Sequence, residues 1–399
     1  MVMINKLFKI AALLLTFQSS LFTFHCFSQP MQLWGMCNYG GTHNDGAIFK
    51  INEDGTDFKI VFSFDSLSGN LPTGSLLKAS NGKLYGMTSS GGGDFHGTLF
   101  CIDPVDYKFT KLIDFTAATG THPYNSLIQG KDGKLYGMTE KGGDSLYYSE
   151  GNGVLFSFDP TTKVYKDLHI FTNADGKNPK GNLIQLSNGK LYGTCTKGGK
   201  HGTGVIFSYD PATSIYTVLY EFLDYSKGTS PCGSLTMANN GKLYGLATNG
   251  GTNSRGIIYS FNPKDSTCQT ECNLFGKTGG DPFGSLTKGP DGKLYSMTRL
   301  GGKDGYGTIF SFNTPDTAYT DLHNFNNKNG LFPYGSVIFG SNNLIYGMAN
   351  SGSDYYDGLI YSFNAKDSVY TKLFSFDVKK NCGYPYGDLL ELPAPKEKK

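Results

Sequence analysis

The stretch NGKLYGMTSSGGGDFHGTLF, residues 81–100, decides the fold, because the chain restates it with small changes from one end to the other. Its aromatic residue recurs at Trp34, Tyr85, Tyr136, Tyr192, Tyr244, Tyr295 and Tyr346, in steps of 51, 51, 56, 52, 51 and 51 residues. Self-similarity at such a period is the mark of propellers and other arrays. Seven copies predict seven units in one closed body, although 399 residues would suffice for two or three ordinary domains.

Each copy holds four apolar runs separated by turn signals. In the second copy they are Ser75 to Lys78, Lys83 to Thr88, Thr98 to Ile102 and Phe109 to Phe115, labelled A to D. Asn81-Gly82, Asp132-Gly133, Asn188-Gly189, Asn240-Gly241, Asp291-Gly292 and Asn342-Asn343 join A to B, as two-residue hairpin loops with positive φ require. Asp103-Pro104, Asp159-Pro160, Asp210-Pro211 and Asn262-Pro263 mark tight turns between C and D. Strand C reads GTLFCI, GVLFSF, GVIFSY, GIIYSF, GTIFSF and GLIYSF, apolar at consecutive positions. A sheet wetted on one face alternates apolar with polar, so both faces here must be covered. Apart from the N-terminal segment, no window shows helical periodicity.

These features predict an all-β, seven-bladed β-propeller of four-stranded antiparallel blades. Residues after position 28 enter at strand B, QLWGMC, and the chain ends on Gly387, Asp388, Leu389 and Leu390, a copy of Gly74 to Leu77. The C-terminal strand is thus expected to join the N-terminal blade and close the ring, which removes a free sheet edge. Residues 29–392 form the propeller in this reading, and 393–399 a short basic tail.

The pattern LYGMT, then a glycine doublet, then GTIFSF about every 51 residues resembles the GloVer tandem-repeat family of exported bacterial proteins. The repeat length is similar to kelch, but in kelch the doublet precedes the aromatic markers and here it follows Tyr85. The resemblance implies no enzymatic activity. Family members often carry a C-terminal anchoring or sorting module; this chain stops almost as soon as its ring closes.

Residues 1–28, with Lys6, Lys9, an apolar run and small residues at Cys26 and Ser28, read as a signal peptide. An exported product is expected, extracellular, surface-bound or periplasmic, without a membrane span in the mature chain. Net charge is +2 and only Arg255 and Arg299 carry guanidinium groups, which disfavours a nucleic-acid partner. No cofactor or metal is expected. His43, His96, His122 and His201 fall at loops of one face without ligand-pair spacing and read as solvated. Among seven cysteines beyond residue 28, Cys37 and Cys382 flank the closure and are the candidate disulfide.

In a four-stranded meander the B-to-C and D-to-A loops share one face of the disc, and here they are the longer, more variable ones. Variable loops on a rigid scaffold are the default place for binding. The candidate ligand-binding residues are Tyr39, Phe95, Tyr147, Tyr148, Glu150, Tyr306, Tyr355 and Tyr356. Tyr147, Tyr148 and Glu150 belong to a five-residue insertion carried by one unit alone. The D-to-A aromatics Tyr124, Phe283, Phe332, Tyr334, Tyr384 and Tyr386 read as packing between blades. The glycine doublet, present in six of the seven units, and the proline before strand A, present in all seven, read as scaffold.

The function expected is a non-catalytic binding module for an extracellular glycan or peptide, with an envelope protein as the other class of partner. The runner-up is a polysaccharide hydrolase or lyase on the same face, and a structural envelope component is the third reading. Catalysis predicts unlike polar groups with shifted pKa values converging on the central channel. Binding predicts a shallow aromatic groove.

Overall fold

The computed structural model describes residues 30–143 and 151–394. They form seven antiparallel sheets of the expected order A-B-C-D. The second blade has strands Leu77–Lys78, Leu84–Thr88, Thr98–Ile102 and Phe109–Asp114, close to the bounds read from sequence. Strand A is two residues long in five blades, whereas the fifth blade extends it to Thr229–Met237. The described residues contain a single 3-10 turn, Tyr225–Lys227, and no helix long and apolar enough to cross a membrane.

Strands B and C are buried along nearly their whole length, because each blade is sandwiched between two others. Leu84 packs with Trp34 and Ile48 of the first blade, while the adjacent Tyr85 packs with Leu135 and Phe156 of the third. Consecutive apolar residues therefore face opposite neighbours. Seven such clusters fill the seven blade interfaces, which is the physical meaning of the continuous apolar runs.

Closure occurs as expected, with a refinement. The innermost strand of the first blade comes in two pieces, Cys382–Pro385 and Leu390–Pro393, both paired antiparallel with Met31–Gly40. Pairing runs through Pro393, opposite Met31, and the Ala394 N–H donates to the Pro30 carbonyl at 2.8 Å, so the ordered ring reaches past position 392.

Around the axis runs a belt between blades. The Ser75 N–H donates to Ser126 Oγ at 2.7 Å, Ser126 N–H to Asn182 Oδ1 at 2.6 Å, Ser234 N–H to Ser285 Oγ at 2.8 Å and Ser285 N–H to Ser336 Oγ at 2.7 Å. The Ser336 N–H donates to Asp388 Oδ1, and the Asp388 N–H returns to Ser75 Oγ at 2.7 Å. Glycine precedes most of these residues because the next blade's backbone leaves no room: a Cβ on Gly284 would lie 2.2 Å from the Gly335 carbonyl oxygen.

Candidate functional site: the mouth of the central channel

The proline before each strand A does more than fix a turn. Its predecessor holds positive φ in all seven blades: Leu71 at 53°, His122 at 55°, Asn178 at 53°, Ser230 at 57°, Asp281 at 50°, Phe332 at 52° and Tyr384 at 55°. Such a backbone costs about 1–3 kcal/mol per non-glycine residue and persists only where surroundings enforce it. Here each N–H is held by a B-to-C loop carbonyl of the preceding blade, as in His122 to His96 at 3.1 Å and Tyr384 to Asp357 at 2.7 Å. The proline ring is wedged against the glycine before the preceding blade's strand C, where a Cβ on Gly97 would stand 2.9 Å from Pro123 Cδ.

The consequence is radial. Of the residues after each proline, Tyr124, Lys180, Cys232, Phe283, Tyr334 and Tyr386 line the channel mouth, and Thr73 lines the channel below it. There a cavity of about 560 Å³ opens on the loop-rich face, and below it the channel narrows to the serine belt. The D-to-A aromatics therefore divide by register. Those after proline form the cavity wall, a correction to the expected packing between blades. Those before it, Phe332 and Tyr384, form edge-on pairs with Tyr306 and Tyr39, both at 5.7 Å between ring centroids.

The wall is ordered by direct contacts. Tyr334 stacks on Tyr386 with centroids 4.5 Å apart, and Phe283 meets Tyr334 edge-on at 5.4 Å. The Arg299 guanidinium lies 5.2 Å from the Phe283 centroid and 5.7 Å from that of Tyr334, and pairs with Asp281 at 3.0 Å. Across the cavity, Lys180 Nζ contacts Glu140 Oε1 at 3.1 Å and lies 5.4 Å over the Tyr124 ring. Burial, then the negative charge of Glu140, raises the Tyr124 phenol; burial, then Tyr334 and Tyr124, raises that of Tyr386. Both hydroxyls thus remain donors across physiological pH. Burial also pushes the Cys232 thiol up to about 12, and its S–H donates to the Pro282 carbonyl at 2.8 Å, so it is no nucleophile at neutral pH.

The sequence-predicted residues sit elsewhere on the same face. Tyr39, Phe95, Tyr355 and Tyr356 are exposed and Tyr306 half-buried, distributed over the first, second, sixth and seventh blades; none lines the cavity. Tyr147, Tyr148 and Glu150 lie outside the described residues, although Gly151, next in sequence, lines the cavity. His43 and His201 are exposed as expected. His96 is buried and His122 half-buried, its pKa lowered by burial and then by Lys141, so these two are not solvated. No group of three metal-ligating side chains occurs among the described residues. Cys37 and Cys382 are free thiols here, both buried and in mutual contact: burial, then a hydrogen bond and repulsion from Cys382, raises the Cys37 thiol well above its ordinary range. The signal that would have found the cavity is the one variable position after an otherwise invariant proline.

The Gloeobacter/Verrucomicrobia repeat model matches residues 28–200, 145–289 and 267–394. No curated protein matches the sequence. Among solved structures, the periplasmic gluconolactonase of Pseudomonas aeruginosa is similar with a TM-score of 0.63 at 13% identity, over 91% of this chain and 100% of that one. A Bacteroides uniformis protein provisionally assigned as a 6-phosphogluconolactonase gives 0.61 at 14% identity, over 92% and 100%. At these identities the likeness concerns the fold alone.

Proposed function

The chain belongs to the Gloeobacter/Verrucomicrobia repeat family, its repeats here close into a ring of seven sheets, and we propose that it is an exported binding module that takes a saccharide in its channel mouth. One observation carries this reading: six of the seven equivalent positions after the prolines converge on a single cavity, and four of them are aromatic. Flat rings cover the apolar faces of a sugar, while flanking hydroxyls, amides and charges read its polar edge. The basic and apolar leader to Ser28 supports export. Tyr147, Tyr148 and Glu150, which precede Gly151 in sequence, stay candidate ligand-binding residues in this proposal.

A second reading, a polysaccharide hydrolase or lyase, rests on Glu140, a buried carboxylate that lines the cavity beside Lys180. Product analysis after prolonged incubation separates the two, since a hydrolase or lyase releases new products whereas a binding module returns its ligand unchanged.

The test is a glycan array probed with residues 29–399, beside Tyr334→Ala and a variant lacking residues 144–150. We expect a saccharide hit that Tyr334→Ala weakens about tenfold or more, as loss of a central aromatic anchor does. Silence across the array would remove the saccharide reading and direct attention to envelope proteins.

A further inference from the structure

We propose that the ligand of the channel mouth is an anionic saccharide, bearing carboxylate or sulfate groups that face the third and fourth blades; this rests on the saccharide reading above. Strand pairing supplies the key observation. Lys177 and Lys197 are directly opposite each other in an antiparallel bridge, with the Lys177 N–H donating to the Lys197 carbonyl at 2.8 Å and the reverse bond at 3.0 Å. Both line the cavity. Like charges at opposed positions destabilise a sheet, and no other blade repeats the arrangement. The equivalent pairs include Asn70 with Ser90, Thr229 with Asn249 and Leu331 with Ser351.

Neighbouring charges do not cancel this one. Lys141 and Lys180 line the same cavity, and the only carboxylate in its lining among the described residues is Glu140, already paired with Lys180. Four lysines against one glutamate leave +3 on a chain whose whole net charge is +2. Counting both carboxylates of the insertion, Asp144 and Glu150, would still leave +1. The amino groups of Lys141, Lys177 and Lys197 have no acidic partner among the described residues. A cleft with cations gathered on one side focuses its field on whatever enters. The other side presents Phe283, Tyr334 and Tyr386. A ligand complementary to both halves has a flat ring face and negative substituents. Acidic sugars have that chemistry.

Calorimetric titration of hexameric galactan, galacturonan and sulfated galactan, at low and high salt, tests the idea and separates carboxylate from sulfate. The Lys177→Gln/Lys197→Gln variant and its Lys177→Arg/Lys197→Arg counterpart serve as the charge controls. We expect one acidic form to bind at least about tenfold more tightly than galactan, with the preference reduced by salt and by the glutamine variant and retained by the arginine variant. The glutamine variant should melt no lower than wild type, since it removes a repulsion, so weak binding would not reflect misfolding. Equal affinity for all three sugars, or a preference indifferent to the glutamine variant, would overturn the anionic assignment and leave the saccharide reading standing. Binding of polyglutamate without binding of any sugar would overturn both, as would no binding to any probe.

Discussion

Glu53, in the C-to-D turn of the first blade, is the residue whose charge state the fold controls most visibly. Its Oε2 accepts from Asn342 Nδ2 of the seventh blade at 3.3 Å, while Oε1 is buried without a donor. Burial, then a hydrogen bond and repulsion from Glu391, pushes its pKa up to about 7. A proton shared between the two carboxyls would satisfy the orphaned oxygen. Since the folded pKa exceeds the ordinary 4.5, the folded state binds the proton more tightly than the unfolded one. This contribution is complete below about pH 4.5 and is lost as pH rises through about 7. Glu53→Gln should therefore flatten the decline of melting temperature between pH 5 and 8, with a gain at pH 8 of about 1 kcal/mol after allowance for solvent screening. A pH-melting series on both proteins checks it; an equally steep decline in the variant would refute the shared proton. The site residues were only half legible at this scale. Tyr124, Phe283, Tyr334 and Tyr386 stand out in the sequence as aromatic, but the wall role comes from the positive φ before each proline, which no residue type at Leu71 or Phe332 announces.

At the scale of the strand, the LYGMT motif explains itself through its glycine. A Cβ on Gly86 would lie 2.5 Å from the Phe100 ring of strand C, and Gly137 and Gly193 stand in the same relation to Phe156 and Phe207. Only the sixth blade departs, with Ser296, whose hydroxyl donates to the Ser285 carbonyl at 2.9 Å. Gly86→Ala should consequently cost about 1–3 kcal/mol through overpacking. In urea titration the midpoint should fall with little change in slope; an unchanged midpoint would mean that Phe100 retreats freely. The strands themselves were readable because apolar pairs such as Leu84 and Tyr85 must face two neighbours. The bulges were not. Every blade shifts register between strands C and D just before the aromatic that covers this glycine, as between Leu99 and Phe100. A bulge answers to the twist that radial packing demands, which depends on neighbours and leaves no local turn residue to read.

For the whole molecule, the sequence specifies blade number and closure through period and phase, but it carries no radius. Tyr39, Phe95, Tyr355 and Tyr356 share a face with the cavity and still stand off it, because loop position along the chain does not say how far from the axis a side chain lies. Closure joins residues far apart in sequence, and the two cysteines at the seam bear on how firmly. Cys37 and Cys382 are already in contact within the seventh-to-first blade interface, next to Leu389 and Phe49. Opening the ring there would expose that apolar cluster and break the pairing of Met31–Gly40 with the two C-terminal strand pieces. In an oxidising compartment the pair is expected to form a covalent clasp that restricts the unfolded chain, worth about 2–4 kcal/mol relative to the reduced protein. Non-reducing peptide mapping of oxidatively folded protein should recover the two peptides linked. Reductant should then lower the melting temperature of wild type and leave Cys37→Ser unmoved. Free alkylation of both thiols in the oxidised preparation would show instead that strand pairing and the serine belt hold the seam alone.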